Sequence, residues 1–517
     1  MRVKYKLIKN TVANFGIGIW NILISFILMF IIIKGYGPAK GLGAEEYGIY
    51  LLIAALIGYF GLLDLGIGTS LVKFIAEYQA KGEKEKVNEV VSTAFFIFLG
   101  IGLIGAFGLF ILGTFFLDVF KFEDADQLLK ARILTYISAI FFITSFSLAI
   151  FRAILRGLQK YVLLAYILFV MSLVNLVVTI WVLVMGFGIV ELILYTICFG
   201  LIGPIVISVY AKKELPYLEI KLSYLNKNIV RSLFSLSLLL LLLYMFNLIV
   251  FYTDNLVVGW WFVGTSMVTF YVAAHKLYSI PGRGINFALQ AMMPAASELD
   301  AKQKKSALQI LLIRVSKYCL AILFFLGIPT MFMSKYILRY WLGDSFAVYY
   351  MVTNILIISI FFDYFNYVSS EILIGMNKIK FLVAGYGVVA LLNLILSIIL
   401  VQRIGLEGVA WGTTIPFIIM APILMWNAFK IIGIDWKNYM KKVWLTNLPY
   451  AFCMGVIIYV LLILHKPNNL IEILIYYAIS ICVFFIPFYF RGLDEEERND
   501  LKGIISIIMY REEKDQI

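Results

Sequence analysis

The sequence predicts an all-α polytopic membrane protein with about fourteen transmembrane helices. Of its 517 residues, 62% are hydrophobic and 14% charged, with a mean hydropathy of +0.95, whereas globular domains carry about 25% charged residues. Apolar runs of roughly 20 residues, the length that crosses a bilayer core, fill most of the chain. The two halves also resemble each other, which is typical of transporters. These three observations exclude a soluble globular fold.

Apolar runs separated by charged residues, glycine or proline predict the spans in order. The first six cover about 11–34, 46–70, 89–117, 131–153, 161–185 and 189–211. A basic segment, 212–228, separates them from six more at about 229–257, 262–292, 307–334, 347–374, 379–401 and 405–429. Two additional spans cover about 443–464 and 469–490. The third span contains a series of glycines, Gly100, Gly102, Gly105 and Gly108, which predicts close helix packing.

An internal repeat relates the first six spans to the next six. An offset of 221 residues aligns Tyr50 with Tyr271, Glu77 with Glu298 and Lys81 with Lys302, and an offset of 218 aligns Gly157 with Gly375 and Asn175 with Asn393. Six spans separate equivalent positions, and this even number makes the repeats parallel. We expect the matched asparagines to form interhelical hydrogen bonds.

The repeat predicts the domain organisation. We expect an N-terminal six-helix lobe at 1–211, a cytoplasmic linker at 212–228 and a C-terminal six-helix lobe at 229–430, with the two lobes around a central cleft. Two additional transmembrane helices occupy 431–490. The remaining segment, 491–517, is a cytoplasmic tail in which the apolar stretch Leu501–Ile508 suits a helix at the inner membrane surface.

The distribution of Lys and Arg predicts the orientation. Of the 43 such residues, 30 fall in the two termini and the loops on the same side, and nine fall in the other loops. Cytoplasmic loops carry the excess of positive charge, so a multi-pass protein of the cell membrane with both termini in the cytoplasm is expected. This pattern explains the net charge of +12 without a nucleic-acid partner.

Charged side chains inside spans are costly and therefore mark candidate substrate or ion paths. Lys276 and Arg283 lie seven residues apart on one face of the eighth span, with the helix-bending Pro281 between them. Arg152, Arg156 and Lys73 are further candidates for the substrate path, although each also suits a positive-inside anchor. The candidates for ion or proton coupling are Asp254, Asp363, Asp64 and His275; Asp254 also suits a structural ion pair.

Other classes of site are not expected. None of the four cysteines forms a CxxC or CxxH spacing, so the sequence predicts no metal centre and no cofactor. No loop exceeds about 20 residues, which leaves no extramembrane platform for a glycosyltransferase or polymerase, and no enzymatic activity is expected. The positive excess inside the spans favours an anionic substrate, because Arg and Lys bind phosphate groups well.

Three segments resemble the polysaccharide-biosynthesis flippases of the Wzx type, which belong to the multidrug/oligosaccharidyl-lipid/polysaccharide exporter superfamily. They are 61–77 (GLLDLGIGTSLVKFIAE), 46–50 (EYGIY) and 294–299 (PAASEL). The resemblance implies that an isoprenoid-pyrophosphate-linked oligosaccharide moves from the inner to the outer leaflet by alternating access. Its partners would be this lipid, with an anionic headgroup, the surrounding membrane lipids, and H⁺ or Na⁺ if transport is coupled.

Three alternatives stay open. A multidrug cation antiporter of the same fold is disfavoured. Members of that branch typically have an acidic residue in the first span, and the first span of this chain contains no Asp or Glu. A flippase for a peptidoglycan lipid precursor belongs to the same superfamily, and the sequence separates it poorly from sugar-lipid flippases. A membrane-embedded glycan polymerase or transferase is disfavoured by the short loops and by the repeat.

Overall fold

The computed structural model describes residues 2–64, 66–233, 238–289 and 292–499. The described residues form a helical protein with one short hairpin. The first helices are α1 (Arg2–Lys34), α2 (Gly43–Phe60), α3 (Ile67–Lys81), α4 (Lys84–Ile111), α5 (Ala125–Gly157), α6 (Tyr161–Val184), α7 (Ile189–Gly200), α8 (Ile202–Glu214), α9 (Lys227–Leu233) and α10 (Leu238–Trp261). The others are α11 (Ser266–Leu289), α12 (Met292–Ala301), α13 (Lys305–Leu342), α14 (Asp344–Ala347), α15 (Tyr350–Gly375), α16 (Lys380–Ile404), α17 (Leu406–Ile432), α18 (Trp436–Tyr439), α19 (Leu445–Leu464) and α20 (Leu470–Pro487).

The span prediction is confirmed as an all-α polytopic membrane fold. Within the described residues, thirteen helical segments are long and apolar enough to cross a membrane. The predicted eighth span coincides with α11, a helix of 24 residues, which is about 36 Å long at 1.5 Å per residue. It is not one of these thirteen segments, and it carries Lys276 and Arg283. The apolar stretch Leu501–Ile508 of the predicted tail lies outside the described residues.

Two predicted spans are interrupted in the structure. The second ends its α-helical part at Phe60, continues as a 3₁₀ turn (Gly61–Asp64) and is followed by α3, a separate helix. Gly66 supplies the left-handed backbone, φ 75°, from which α3 begins. The sixth predicted span is divided into α7 and α8 at Leu201. Pro204 follows this break, and its missing N–H prevents the hydrogen-bond ladder of α7 from continuing.

A hairpin that the sequence does not predict follows α1. Strand β1 (Gly35–Tyr36) pairs antiparallel with β2 (Ala39–Lys40). Gly35 has a positive φ of 81°, and a side chain at this position would meet the carbonyl oxygen of Ala39 at 2.2 Å. The turn therefore requires glycine at its entry.

The internal repeat holds at the backbone as well as in the sequence. At the offset of 221, Gly43 and Gly264 both have positive φ, 82° and 79°, and each lies at the start of a helix, α2 or α11. The chain reversal after α3 uses Gly82, φ 73°, and the equivalent reversal after α12 uses Gln303, φ 54°. Positive φ is uncommon for a residue other than glycine, so shared positions of this kind are strong support for the repeat.

The two equivalent helices α3 and α12 carry the same ion pair. In α3 the Lys81 ammonium lies 2.6 Å from the Glu77 carboxylate, and in α12 Lys302 pairs with Glu298 in the same spacing. Hydrogen bonding to the lysine lowers the pKa of each carboxyl below its ordinary value. The matched residues of the sequence repeat are thus matched in their contacts.

A close helix contact is also duplicated. A side chain at Gly157, the last residue of α5, would lie 3.1 Å from the carbonyl oxygen of Val72 on α3. A side chain at Gly375, the last residue of α15, would lie 2.8 Å from the carbonyl oxygen of Met293 on α12. Val72 and Met293 are themselves related by the offset of 221.

The chain divides into two compact units. Unit 1 consists of Met1–Ala273 with Leu382–Pro416, and unit 2 consists of Ala274–Phe381 with Phe417–Ile517. In unit 1, residues of α3, α4, α5, α6 and α8 form an apolar core around Leu71, Val91 and Ile154, which are fully buried. In the predicted glycine series, a side chain added at Gly102 or Gly105 would contact α5, and one added at Gly108 would contact Phe60. A side chain added at Gly100 would have no atom within 4 Å.

Candidate functional site

A buried carboxylate, Asp254, forms the centre of a polar cluster in unit 1. Asp254 lies near the end of α10 and is 3% exposed. The hydroxyl of Tyr271, from α11, donates a 2.6 Å hydrogen bond to its Oδ2 atom. The hydroxyl of Thr413, from α17, donates to the same oxygen at 2.8 Å. Asn393 and Ser397, both from α16, donate to Oδ1 at 3.4 Å. Four helices therefore meet at this side chain.

The cluster is rich in oxygen atoms that have few other partners. Thr413 and Ser397 also lie at 3.5 and 3.4 Å from the carbonyl oxygen of Val409. The amide nitrogen of Asn393 donates to Thr413 at 2.9 Å, while its Oδ1 atom is buried without a hydrogen-bond partner among the described residues. A carboxylate, a carboxamide oxygen, two hydroxyls and a carbonyl are the ligands that hard cations prefer. The same atoms would also accommodate a proton on Asp254.

The sequence identifies Asp254 as a candidate but not its partners Tyr271, Ser397 and Thr413. The sequence repeat could have indicated two of these partners, because Tyr271 aligns with Tyr50 and Ser397 aligns with Thr179. The expected interhelical bond is present at Asn393. The same expectation is wrong for Asn175, which is exposed and accepts a bond from Thr179 of its own helix at 3.3 Å. The alternative of a structural ion pair at Asp254 is also not seen in the described part of the chain, where its donors are neutral.

The predicted basic pair lies on α11 within unit 2. Lys276 is half-buried and Arg283 is exposed; at seven residues apart they are separated by about 10 Å along the helix axis. Within the described residues no carboxylate forms a salt bridge with Arg283. The His275 ring lies 4.9 Å from the ring of Tyr278, between centroids. Arg283 can therefore bind an anion from outside the protein without first breaking an ion pair.

A second buried carboxylate, Asp363, lies on α15 in the same unit. It is 3% exposed, and Asn366 donates a 2.8 Å hydrogen bond to its Oδ1 atom. The Oδ1 atom of Asn366 and the hydroxyl of Ser369 are buried without a hydrogen-bond partner among the described residues. A side chain at Gly282 would lie 3.5 Å from Ile360, so α11 and α15 are neighbours close to the level of Asp363.

The remaining candidates lie in unit 1 and do not form one cluster. Asp64 is half-buried and accepts a 3.1 Å hydrogen bond from the backbone N–H of Gly68. Lys73 is exposed on α3, and Arg152 and Arg156 are exposed near the end of α5. Their exposure fits an anchor at the membrane surface as well as a role in a path for substrate.

The comparisons with known proteins agree with this architecture. The sequence profile of the family described as "Polysaccharide biosynthesis protein" matches residues 7–300. A protein of Shigella flexneri named "Putative O-antigen transporter" is 24% identical over 436 residues, which are 81% of this chain and 97% of that protein. A protein of the same name from Salmonella typhi is 22% identical over 391 residues, 73% of this chain and 86% of its own length.

Two solved structures share the fold. The lipid II flippase MurJ in an inward closed conformation superposes with a TM-score of 0.70 at 16% identity, covering 93% of this chain and 97% of its own. An inward-facing multidrug resistance transporter of the MATE family, in the MOP superfamily, superposes with a TM-score of 0.66 at 16% identity, covering 82% and 98%. At this level of identity the likeness concerns the fold alone.

Proposed function

The chain belongs to the polysaccharide biosynthesis protein family, and on this premise we propose that it is a flippase for a lipid-linked oligosaccharide. It moves an isoprenoid-pyrophosphate-linked sugar from the cytoplasmic to the outer leaflet of the cell membrane. The matches to two proteins named "Putative O-antigen transporter", over 81% and 73% of this chain, support this substrate class. Family and relatives indicate transport, and we infer that the protein has no catalytic activity of its own.

We propose that α11 receives the charged headgroup. The observation that carries this assignment is Arg283, exposed and without a carboxylate partner among the described residues, two helical turns from Lys276. A pyrophosphate presents several anionic oxygens, and the planar guanidinium binds such groups through two parallel hydrogen bonds. Arg152, Arg156 and Lys73 would attract the same headgroup at the cytoplasmic membrane surface, while the isoprenoid chain stays among the membrane lipids.

The membrane potential favours the proposed direction. With a cytoplasm that is electrically negative, outward movement of an anion is downhill by about 2.3 kcal/mol per charge per 100 mV. The two six-helix repeats, 1–211 and 229–430, are the halves that would alternate in exposing the headgroup to either side. Because Lys and Arg are enriched in cytoplasmic loops, both termini lie in the cytoplasm under this proposal.

We propose that H⁺ or Na⁺ binding at Asp254 is coupled to transport. The site combines one carboxylate with the side-chain oxygens of Asn393, Ser397 and Thr413 from two other helices. An ion that binds one arrangement of these helices more tightly shifts the equilibrium towards that arrangement. Asp363 and His275, in unit 2, are the second candidates for coupling. Asp64 is a further candidate, in unit 1.

Two other functions in the same superfamily are the alternatives to this one. A MATE-type cation antiporter would use Asp254 and Asp363 to bind an organic cation, but the exposed Arg283 would repel it. A flippase for a peptidoglycan lipid precursor would share the headgroup chemistry and differ in the sugar.

The deciding experiment is leaflet transfer in proteoliposomes. Polyprenyl-pyrophosphate-linked N-acetylglucosamine is placed in the inner leaflet, and its arrival outside is measured with an externally added glycosyltransferase. We expect transfer by the wild type and its loss in the double variant K276Q/R283Q, because the pyrophosphate has lost its two cations.

The control is R403Q, which removes an exposed positive charge at the end of α16 that is not assigned to the headgroup path. It should transfer the lipid at the wild-type rate. Transfer by K276Q/R283Q at the wild-type rate, at equal protein density, would remove α11 from the headgroup path. Faster transfer of lipid II than of the single-sugar lipid would favour the peptidoglycan alternative.

A further inference from the structure

A cavity of about 400 Å³ opens within unit 1, between the end of α2 and the first half of α10. Small-molecule sites are concave, mostly apolar and have a few well-placed polar groups, with volumes of about 300–1,000 Å³. The polar groups at this cavity are Asp64, Asn247 and the tyrosines Tyr244 and Tyr252, and Phe251 adds an apolar wall. Its size accommodates a monosaccharide or a disaccharide.

The polar groups of the cavity offer a carboxylate and neutral hydrogen-bonding groups. Asp64 contributes a half-buried carboxylate. The amide nitrogen of Asn247 donates to the carbonyl oxygen of Leu243 at 2.8 Å, which leaves its side-chain oxygen and one N–H for other partners. None of the described residues that line the cavity is Lys, Arg or His. The wall therefore matches a ligand with several hydroxyl donors and no negative charge.

The aromatic wall is held in place by neighbouring residues. A side chain at Gly58 would lie 2.7 Å from the ring of Tyr252, so this ring packs directly on the backbone of α2. The Tyr59 ring meets it edge-on, with 6.5 Å between centroids, and the Tyr59 hydroxyl hydrogen-bonds Thr253. A ring fixed in this way loses little conformational freedom when a ligand packs against it, and binding is correspondingly favoured.

We propose that this cavity binds a sugar of the transported lipid, and that it selects an uncharged or amino sugar over a uronic acid. Sugar hydroxyls form hydrogen bonds with Asp64, Asn247 and the Tyr252 hydroxyl, and the apolar face of the sugar ring packs against Phe251 and the ring of Tyr252. A uronate would place its carboxylate beside that of Asp64 with no cation in the wall, and like charges at close range are repelled. This inference rests on the proposed function.

The proposal divides recognition between two sets of residues. Lys276 and Arg283 bind the pyrophosphate, which every substrate of the class shares. Asp64, Asn247 and Tyr252 bind the sugar, which differs between substrates. Discrimination then depends on the sugar subsite, because a contact common to all substrates adds affinity without selectivity.

Binding of three probe lipids to the full-length protein in nanodiscs tests the subsite. The probes are bare polyprenyl pyrophosphate, the same lipid with N-acetylglucosamine, and the same lipid with glucuronic acid. We expect the wild type to bind the N-acetylglucosamine lipid about tenfold more tightly than either of the others, the factor expected for hydrogen bonds to a charged group.

Two variants remove the sugar contacts by different means. D64N keeps an oxygen that can accept the Gly68 N–H and should reduce the preference over the glucuronic acid lipid. Y252F keeps the ring and removes a hydroxyl, and should reduce the preference over bare lipid. Neither should change the affinity for bare lipid. The control Y166F alters an exposed tyrosine of α6 in the same unit and should leave all three affinities unchanged.

The outcomes separate this inference from the proposed function. If K276Q/R283Q weakens binding of all three lipids while D64N and Y252F leave their ratios unchanged, the sugar subsite is overturned and the flippase assignment stands. If the wild type binds none of the three above the level of empty nanodiscs, the proposed function itself fails. Equal losses for bare and sugar-bearing lipid in D64N would show that Asp64 acts only as the cap of α3.

Discussion

Asp254 shows how a charged residue is accommodated in a transmembrane helix. Its carboxylate is 3% exposed and accepts hydrogen bonds from Tyr271, Thr413, Asn393 and Ser397. A buried charge without such partners costs several kcal/mol, whereas donors directed at it recover much of that cost. The carboxylate is therefore held by neutral groups, and a small cation or a proton can join it without displacing a basic side chain.

The first prediction concerns this residue. D254A leaves the Tyr271 and Thr413 hydroxyls and the Asn393 amide without their acceptor, and we expect a loss of about 2–4 kcal/mol of unfolding free energy. D254N retains the shape and should lose less. Thermal unfolding of the purified protein measures both, with added sodium at constant ionic strength as the second variable.

Sodium separates a structural role from a coupling role. A cation that binds the folded protein raises its melting temperature in proportion to ln(1 + [Na⁺]/Kd), and this increase should be absent in D254N. The control D344N changes an exposed aspartate paired with Arg339 and should keep the increase. Sodium stabilisation that persists in D254N would place the cation elsewhere.

Among the helices, the repeat duplicates a backbone contact and an ion pair. The last residues of α5 and α15, Gly157 and Gly375, each touch the backbone of the short helix that follows α2 or α11. Both short helices, α3 and α12, carry the same Glu–Lys pair at i and i+4. Because exposed pairs of this kind contribute little to stability, the glycine contact is the feature that fixes each short helix on its long neighbour.

The second prediction follows from these contacts. G157L and G375L should each destabilise the protein by about 1–3 kcal/mol, since the new side chain meets a backbone carbonyl that cannot move aside. Thermal unfolding measures the effect. The matched control is G100L in α4, where no atom lies within 4 Å of the added carbon; it should unfold within a degree or two of the wild type. Equal effects at all three positions would contradict the proposed role of the contact.

At the scale of the whole molecule, orientation depends on the number of spans. Thirteen helical segments in the described residues qualify as spans by length and apolarity, and α11 is the fourteenth expected from the repeat. It carries Lys276 and Arg283, which are the residues assigned to the headgroup. If α11 crosses the membrane, both ends of the chain lie on the same side.

The third prediction is therefore a labelling pattern. In a variant without its four native cysteines, single cysteines at Lys40 and Lys466 should react with an impermeant thiol reagent in intact cells. Cysteines at Lys81 and Lys437 should react only after permeabilisation, because loops rich in Lys and Arg stay inside. Reaction at position 40 but not at position 466 would show that α11 does not cross, since every later segment would then be reversed.

The amino-acid sequence alone predicts the membrane class, the span positions, the repeat and the family. Each of these depends on local apolarity or on residue types that rarely match by chance, such as Glu77 with Glu298 and Gly157 with Gly375. It also singled out Asp254, because an acidic residue inside a span is costly and hence uncommon. The Gly-rich stretch 65–68 predicts a break in the second span, but nothing in the sequence marks the end of α2 at Phe60, since residues 61–63 stay apolar.

The residues that surround the candidate groups are known only from the packing of the helices. Asn393 and Thr413 are 139 and 159 residues from Asp254 in the chain, and hydroxyl and amide side chains are common enough in spans to carry no signal alone. The Asp64 cavity likewise forms because α2 packs beside α10. Apolarity directs a helix into the membrane, but the side chains that meet there are fixed by packing, which brings together residues far apart in sequence.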